Sequence, residues 1–199
     1  PLKIEIKDIE GCFPNMGKEE IRFGLRSMTS MITKQLGHDT VYVPRRKTEK
    51  CMWHTKKKSY VKLPFEMLLD VVEFALEHTF VRSLDGQLFK QVRGIPMGDP
   101  HSPGMTIGTC AWMEHEWMQT LGEIVKEHFR AKRYMDDVLL IYADSPSINF
   151  DKFLKDFKQS ECYLPPLKLE EAGDCTFLET TFEVTKDNKI KYWLKNTNE

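Results

Sequence analysis

The sequence has no apolar run that approaches the length of a membrane-spanning helix, which needs about 20 residues. It also lacks an excess of either charge, because 29 Lys and Arg residues offset 30 Asp and Glu residues for a formal net charge of -1. The chain as a whole is therefore not a basic nucleic-acid-binding protein, and we expect no membrane association. Internal repeats and low-complexity segments are absent. The length and the hydrophobic content of 41% fit a globular domain.

The sequence has no Cys-x-x-Cys pair, and its five cysteines are odd in number and scattered. This pattern argues against a disulfide scaffold and favours a reducing compartment. We therefore expect an intracellular protein, nuclear or cytoplasmic. Cys51 and His54 could form half of a zinc site, but no second half has suitable spacing.

Charge is distributed unevenly along the chain. Residues 38–62 contain eight Lys and Arg against Asp39 and Glu49, a local charge of +6 (8 − 2). Such a stretch attracts phosphate groups, although a solvated loop would have the same composition. The basic residues of this stretch are Arg45, Arg46, Lys47, Lys50, Lys56, Lys57, Lys58 and Lys62.

Two adjacent acids, Asp136 and Asp137, lie between apolar runs rich in β-forming residues within the stretch 132–142. This pattern predicts a β-hairpin with the acids at its turn. Two carboxylates held close together repel each other unless cations neutralise them, and divalent metal ions are the usual solution. The alternative is a structural turn, because Asp is common in turns.

A third acid ends the first predicted strand. Residues 2–9 alternate apolar and polar side chains with a period of two, and Asp8 continues the apolar face. A buried carboxylate is costly without a partner, so Asp8 is a candidate functional residue. Alternatively, Asp8 only terminates the strand and caps the next turn.

A rigid loop is predicted at residues 94–103, which contain two Gly and three Pro. We expect a long helix to follow, from about Gly104 to about Lys126. The small residues Gly104, Gly108 and Ala111 would allow close approach to a neighbouring element.

The remaining pattern predicts both helices and strands. The helices are 15–35 with Asn15 as its cap, one beginning after Pro64, and 149–160, after which Pro165-Pro166 prevents continuation. The strands are 40–43, 60–63, a hairpin over 80–92 around Asp85-Gly86, 167–170, 176–184 and 190–194, the last two joined at Asp187-Asn188.

Four of these stretches together resemble the motifs of reverse transcriptases, in the same order. Asp8-Ile9-Glu10-Gly11-Cys12-Phe13 is similar to the first carboxylate motif, an Asp followed five residues later by an aromatic residue. Gly94-Ile95-Pro96-Met97-Gly98 resembles the template–nucleotide loop, in the form with Met that occurs in Penelope-like elements. Hepadnavirus polymerases share the Pro-Met-Gly. Tyr134-Met135-Asp136-Asp137 resembles the catalytic motif, and Phe177-Leu178-Glu179 resembles the primer grip, with Glu in place of Gly.

The resemblance implies an α+β polymerase palm, a small antiparallel sheet backed by helices within the right-hand polymerase architecture. It covers residues 1–199, with 38–92 as a possible palm or fingers insertion. Only seven residues precede Asp8, and little follows the primer grip, so upstream fingers and a downstream thumb are largely missing from this sequence. We therefore expect a fragment of a longer polymerase, or a chain that needs partner chains.

The resemblance also implies roles for individual residues. The catalytic residues would be Asp8, Asp136 and Asp137, which with Ile9 would hold two Mg²⁺ ions, or Mn²⁺ in their place. The residues implied to bind the nucleotide are Glu10, Gly11, Cys12, Phe13, Met97 and Gly98, with Phe13 against C2′ of its sugar. Those implied to bind template or primer are Gly94, Pro96, Tyr134, Met135, Arg45, Arg46, Lys56, Lys57, Lys58, Phe177 and Leu178.

The function that follows from the resemblance is RNA-directed DNA polymerisation in a retroelement, with RNA template, DNA primer and dNTP as partners. An RNA-dependent RNA polymerase is the alternative within polymerases, although those enzymes typically have Gly-Asp-Asp and an Asp five residues after the first acid. A non-catalytic palm that binds RNA or protein would be expected to have lost the carboxylates, whereas all three are present. A plain structural domain would leave the acids unexplained.

Overall fold

The computed structural model describes residues 1–158, 162–163, 167–173 and 175–195. The chain folds into two compact units, one formed by Pro1–Asn15 with Met113–Glu199 and the other by Met16–Trp112. In chain order the elements are β1 (Leu2–Ile9), α1 (Cys12–Asn15), α2 (Lys18–Leu36), β2 (Thr40–Pro44), β3 (Tyr60–Pro64), α3 (Phe65–Glu77), β4 (Phe80–Arg82), β5 (Leu88–Lys90), α4 (Ser102–Thr120), α5 (Glu123–His128), β6 (Phe129–Tyr134), β7 (Asp137–Ala143), α6 (Phe150–Lys158), β8 (Leu169–Glu171), β9 (Thr176–Phe177), β10 (Thr180–Val184) and β11 (Ile190–Leu194).

The first unit is organised by an antiparallel sheet in the order β6-β7-β1-β8. Strands β6 and β7 are neighbours in sequence, whereas β1 reaches β7 from the far end of the chain. Residues 138–140 of β7 are all buried, as expected for an inner strand covered on both faces. A smaller antiparallel sheet in the order β11-β10-β9 belongs to the same unit.

Aromatic side chains fill the core of the first unit. The ring of Trp117 from α4 lies 4.8 Å from that of Phe157 in α6 and 6.2 Å from that of Phe129 in β6. Phe153 of α6 completes the cluster, with its ring 4.9 Å from Phe129. These ring contacts place α6 against the start of the β6–β7 hairpin.

The second unit contains α2, α3, two hairpins and the first half of α4. The predicted hairpin over 80–92 is confirmed as β4–β5. The predicted strands 40–43 and 60–63 pair with each other as β2 and β3, and α3 begins directly after Pro64. The predicted close approach occurs at Gly108, where a Cβ atom would lie 2.4 Å from Cδ2 of Leu25 in α2. Gly104, in contrast, faces open space.

Two predicted helices have different bounds in the structure. The first is divided into α1 and α2, and α2 is preceded by Gly17 rather than capped by Asn15, whose Nδ2 instead donates to the Glu10 carbonyl at 3.2 Å. The predicted helix 104–126 begins earlier and is interrupted at Gly122, whose extended backbone starts α5. Within the described residues, every helix is too short or too polar to cross a bilayer.

Three predicted strands also differ from the structure. The predicted strand 176–184 is split by a tight turn, because Leu178 and Glu179 adopt positive φ angles of 49° and 61°. The predicted strand 167–170 pairs only from Leu169 onward, and β6 begins earlier than predicted, at Phe129. Helix α6 extends to Lys158, and the predicted stop at Pro165-Pro166 lies outside the described residues.

Candidate active site

Strand pairing places Asp8 beside the hairpin acids. In the β1–β7 ladder, Asp8 is the cross-strand partner of Asp137. Directly opposed residues in an antiparallel pair have Cα atoms about 4.5–5.5 Å apart and side chains on the same face. The structure thus confirms that acids separated by more than a hundred residues converge at one end of the sheet.

The second hairpin acid lies within the turn. Tyr134 pairs with Asp137, so Met135 and Asp136 form a two-residue connection between β6 and β7. The main-chain N–H of Ile9, directly after Asp8, donates to the Asp136 carbonyl at 3.0 Å. The turn is therefore attached to the end of β1 as well as to its own hairpin, which brings Asp136 close to Asp8.

A fourth acid joins this edge from the other side. Glu170 of β8 is the partner of Asp8 in the β1–β8 ladder, so Asp8 lies between Asp137 and Glu170. Glu170 is not among the predicted site residues, because the strand predicted to contain it had no predicted neighbour. Its only signal in the sequence was the alternation of Leu167 and Leu169 with polar residues.

The clustered charges alter the acidity of the carboxyls. Burial raises the pKa of Asp8 above its ordinary value, and the charges of Asp136, Asp137 and Glu170 raise it further, whereas a hydrogen bond from the Ile9 backbone lowers it. Burial, and then the charge of Asp136, raises the pKa of Asp137. The site therefore stabilises a proton or a cation near these oxygens.

This acidity predicts a measurable effect on stability. Because the folded-state pKa of Asp8 is raised, the native state loses stability as pH rises through that pKa, and the loss is absent below the ordinary carboxyl value of 3.8. Without divalent ions, Asp8→Asn should therefore raise the melting temperature at pH 7 and have little effect at pH 3. Added Mg²⁺ or Mn²⁺ should favour the wild type and reduce or reverse the difference.

The matched control for this measurement is Asp70→Asn, which changes an exposed aspartate of α3 in the other unit. Calorimetry gives the melting temperatures of both variants and the wild type at pH 3 and pH 7. A change in Asp8→Asn that is absent in Asp70→Asn comes from repulsion at the acidic edge and not from the general titration of the chain. A lower melting temperature for Asp8→Asn than for the wild type at pH 7 in metal-free buffer would contradict the prediction.

The carboxylates of the cluster could supply some, but not all, of the ligands that a hard divalent ion needs. Carboxylate oxygens are the ligands that Mg²⁺ takes from proteins, usually one or two per ion, and water and phosphate supply the rest. Among the described residues, no group of three or more His, Cys, Asp or Glu side chains is arranged to hold an ion by itself. Asp8 and Asp136 would therefore contribute ligands to an ion that also binds phosphate oxygens.

The segment after Asp8 has varied exposure. Ile9 and Cys12 have buried side chains, so a contact with metal or nucleotide at these two positions would use main-chain atoms. Glu10 and Gly11 are exposed, and Gly11 has a φ of 53° that favours glycine. Phe13 is half-buried in α1, so it is neither a fully buried core residue nor a freely exposed one.

The predicted template–nucleotide loop lies in the second unit. The N–H of Gly94 donates to the Met16 carbonyl at 3.1 Å, and the Ser102 hydroxyl donates to the Pro96 carbonyl at 2.7 Å. Gly98 has a φ of 89°, and the side chain of Met97 is 80% exposed. The loop is thus tied down at both ends and open at its tip, and its role stays a prediction.

The basic stretch connects β2 and β3 of the second unit. Arg45, Arg46 and Lys56 to Lys58 are all exposed, and within the described part of the chain none of them forms an ion pair. Trp53 is not among the predicted contact residues. It is half-exposed in the same stretch and stacks on His38 with ring centroids 5.6 Å apart. Basic residues around an exposed ring are suited to a nucleic-acid strand.

The remaining predicted contact residues belong to the first unit. Tyr134 is exposed and, as the partner of Asp137, lies on the face of the acids. Phe177 is half-buried in β9, and Leu178 is exposed in the turn that follows. These positions leave all three side chains partly accessible, and their contacts with template or primer stay predictions.

Comparisons with known proteins give matches among solved structures alone. No protein-family model matches the sequence, and no curated protein matches it. Telomerase from Candida albicans in complex with a TWJ fragment of telomeric RNA superposes with a TM-score of 0.65 at 21% identity, covering 96% of this chain and 31% of that one.

Two structures of telomerase from Candida tropicalis give similar results. The apo form has a TM-score of 0.61 at 16% identity, with 96% of this chain and 32% of that one covered. The complex with a TWJ fragment of telomeric RNA has a TM-score of 0.62 at 15% identity, covering 96% and 30%. This chain thus spans about a third of the length of these telomerase chains. At such low identity the similarity shows the fold alone, an α+β fold with antiparallel sheets and helices that is reverse-transcriptase-like and fits a polymerase architecture.

Proposed function

We propose that this chain is the catalytic palm of an RNA-directed DNA polymerase from a retroelement, which transfers nucleotides from dNTP to a primer 3′-hydroxyl. The observation that carries the proposal is the pairing of Asp8 with Asp137 beside Asp136. Three carboxylates share one sheet edge, where burial and neighbouring negative charge raise the pKa of Asp8 and of Asp137, and such a cluster favours a cationic partner.

In this proposal Asp8 and Asp136 are the carboxylates that hold Mg²⁺, and Asp137 supports them through the charge it adds to the same edge. Two bound Mg²⁺ ions, or Mn²⁺ in their place, would lower the pKa of the primer hydroxyl and stabilise charge on the leaving pyrophosphate. The protein's own contribution is to keep Asp8 and the turn in register through the β1–β7 ladder and the Ile9 hydrogen bond.

Phe13 would select the sugar of the incoming nucleotide. The residue follows β1 by four positions and is partly accessible. An aromatic ring beside C2′ leaves no room for a ribose hydroxyl but tolerates deoxyribose. Glu10, Gly11, Cys12, Met97 and Gly98 are the other residues proposed to contact the nucleotide.

RNA is the proposed template, and a DNA primer is the proposed second strand. Structural neighbours that bind a TWJ fragment of telomeric RNA support an RNA partner. The neighbours are about three times as long as this chain, which supports the proposal that it works with fingers and thumb segments, or with partner chains that supply them.

The test is primer extension by the intact protein on an RNA template with a DNA primer, Mg²⁺ and either dNTP or rNTP. Extension with dNTP supports the proposal. Extension that requires rNTP would instead indicate an RNA-dependent RNA polymerase. Binding of RNA with no extension under either condition, by a folded protein supplied with Mn²⁺ as well as Mg²⁺, would indicate a non-catalytic palm.

The basic stretch gives a separate prediction about nucleic-acid binding. Replacing Arg45, Arg46, Lys56, Lys57 and Lys58 by Gln should flatten the dependence of binding on salt, because each lost phosphate contact lowers the slope by about one. Fluorescence anisotropy of an RNA–DNA duplex at several salt concentrations measures this slope.

The control for that experiment replaces five exposed lysines elsewhere, namely Lys152 and Lys155 of α6 and Lys186, Lys189 and Lys191 around the β10–β11 turn. If the slope is unchanged in the first variant, the stretch is a solvated loop with no role in binding. A drop of the same size in both variants would indicate a general effect of net charge.

A further inference from the structure

Arg133 has little contact with solvent. It precedes the last residue of β6, and its side chain is 7% exposed. Its cross-strand partner Val138 is also buried. Because side chains alternate along a strand, Arg133 lies on the face opposite to Tyr134 and Asp137. A guanidinium in such a place is costly unless its hydrogen bonds are satisfied.

The hydrogen bonds of Arg133 join three segments of the first unit. Nη1 donates to the Met135 carbonyl at 2.9 Å. Nε donates to Oε1 of Glu114 in α4, and Nη2 lies 3.4 Å from Oε2 of the same carboxylate. Oε1 of Glu114 also accepts a hydrogen bond from the Tyr163 hydroxyl at 2.7 Å. The guanidinium therefore links the turn to a helix through a charged pair.

The bond to Met135 acts where the backbone is strained. Met135 has a φ of 56°, a left-handed conformation that a side chain disfavours. Such conformations persist only when the surrounding structure fixes them. The Met135 carbonyl belongs to the peptide unit between Met135 and Asp136. The Asp136 carbonyl, which accepts a hydrogen bond from the Ile9 N–H at 3.0 Å, belongs to the peptide unit between Asp136 and Asp137.

We propose that Arg133 is a positioning residue that holds Asp136 in place, with Glu114 as the partner that orients its guanidinium. One hydrogen bond fixes each peptide unit beside Asp136, so the direction of its carboxylate depends on both. This inference rests on the proposed function, because it assumes that the carboxylate of Asp136 holds a metal ion.

A merely structural role for Arg133 makes a different prediction. A buried ion pair that only fills the core would lower global stability when altered and would loosen all parts of the unit alike. A positioning role concentrates the effect at the turn. Groups that orient metal ligands from outside typically change metal affinity by about 10- to 100-fold when they are mutated.

The test compares Arg133→Lys with Arg130→Lys in the full chain. Lysine keeps the positive charge opposite Glu114 but cannot bind both its carboxylate and the Met135 carbonyl in the same fork geometry. Arg130 is an exposed residue of the same strand whose guanidinium bonds backbone carbonyls outside the turn, so it is the matched control. Two measurements apply, amide hydrogen exchange at residues 135–138 and Mn²⁺ binding followed by electron paramagnetic resonance.

We expect Arg133→Lys to increase exchange at residues 135–138 relative to the other amides of β6 and β7, and to weaken Mn²⁺ binding about 10- to 100-fold. The control should change neither. Glu114→Gln, which keeps the side-chain size, should show the same local pattern and serves as a second variant if Arg133→Lys fails to fold. Unchanged exchange at the turn in a folded variant, or an equal increase throughout the unit, would overturn the inference.

A different result of the Mn²⁺-binding measurement would show that the proposed function itself is wrong. If the wild-type chain and Asp136→Asn bind Mn²⁺ equally, the metal site of the proposed function is wrong, whatever the exchange data show. If the wild type binds Mn²⁺ more tightly than Asp136→Asn does, while Arg133→Lys binds it as tightly as the wild type, the positioning role alone is wrong.

Discussion

The Asp136→Asn variant is expected to lose primer extension by several orders of magnitude and to remain folded. Asparagine has the same size as aspartate but lacks the negative charge that holds a divalent ion. The hydrogen bond from the Ile9 N–H to residue 136 uses the main-chain carbonyl, so the substitution preserves it. The melting temperature should therefore be unchanged or higher, since one charge is removed from an acidic cluster.

The matched control is Asp144→Asn, directly after the other end of β7. Asp144 forms an ion pair with Lys3 at 3.0 Å and lies far along the strand from the acidic edge. Steady-state kinetics on both variants give the loss of transition-state stabilisation. Near wild-type extension by Asp136→Asn would refute the polymerase assignment, whereas equal losses in both variants would indicate a general disturbance of the strand.

The second large effect is expected at Phe13. Phe13→Val should admit ribonucleotides while largely sparing the use of dNTP, because the ring is proposed to exclude the 2′-hydroxyl without bonding to deoxyribose. The quantity that changes is the ratio of kcat/KM for rNTP to that for dNTP, not the overall activity. Single-nucleotide incorporation on the same primer and template measures this ratio.

The control for the sugar gate is Phe129→Val in the aromatic core of the same unit. Phe129 is 2% exposed, and truncating a buried Phe to Ala costs about 3–5 kcal/mol, with a smaller cost for Val. This control should melt earlier and keep its preference for dNTP. If Phe13→Val behaves in the same way, Phe13 is a packing residue, and the RNA-polymerase alternative must be considered again.

The sheet that carries the acids could be predicted from the sequence because each strand has a strong local signal. The alternation in 2–9 predicted β1, and the apolar runs around Asp136-Asp137 predicted the hairpin. The pairing of β1 with β7 was implied by the family resemblance, since periodicity alone does not choose partners for a strand.

The turn at Leu178–Glu179 could not be predicted for a physical reason. Tight hairpin turns with positive φ angles are normally recognised by Gly, Asn or Asp, and here Leu and Glu occupy both positions. The sequence therefore reads as one continuous strand. The same applies to Met135, whose positive φ has no signature in the sequence.

The roles of Arg133 and Glu170 depend on contacts between distant segments. Arg133 belongs to a run of mixed basic and apolar residues, and only the strand register shows that it lies on the buried face. Glu170 becomes a neighbour of Asp8 only through the β1–β8 ladder. A local sequence pattern does not show which distant segments of the chain will pair.

The discontinuity of the first unit has a consequence for folding and for variation in length. Along the sequence, a long segment that includes all of Met16–Trp112 separates strand β1 from strand β7. The sheet that holds the acids therefore forms only after this long loop has closed. Contacts so distant in sequence slow folding. The thermodynamic cost of closure grows only with the logarithm of loop length, about 0.6 kcal/mol for each doubling. A chain with a much longer segment between β1 and the β6–β7 hairpin would therefore keep the same acidic edge at almost the same stability.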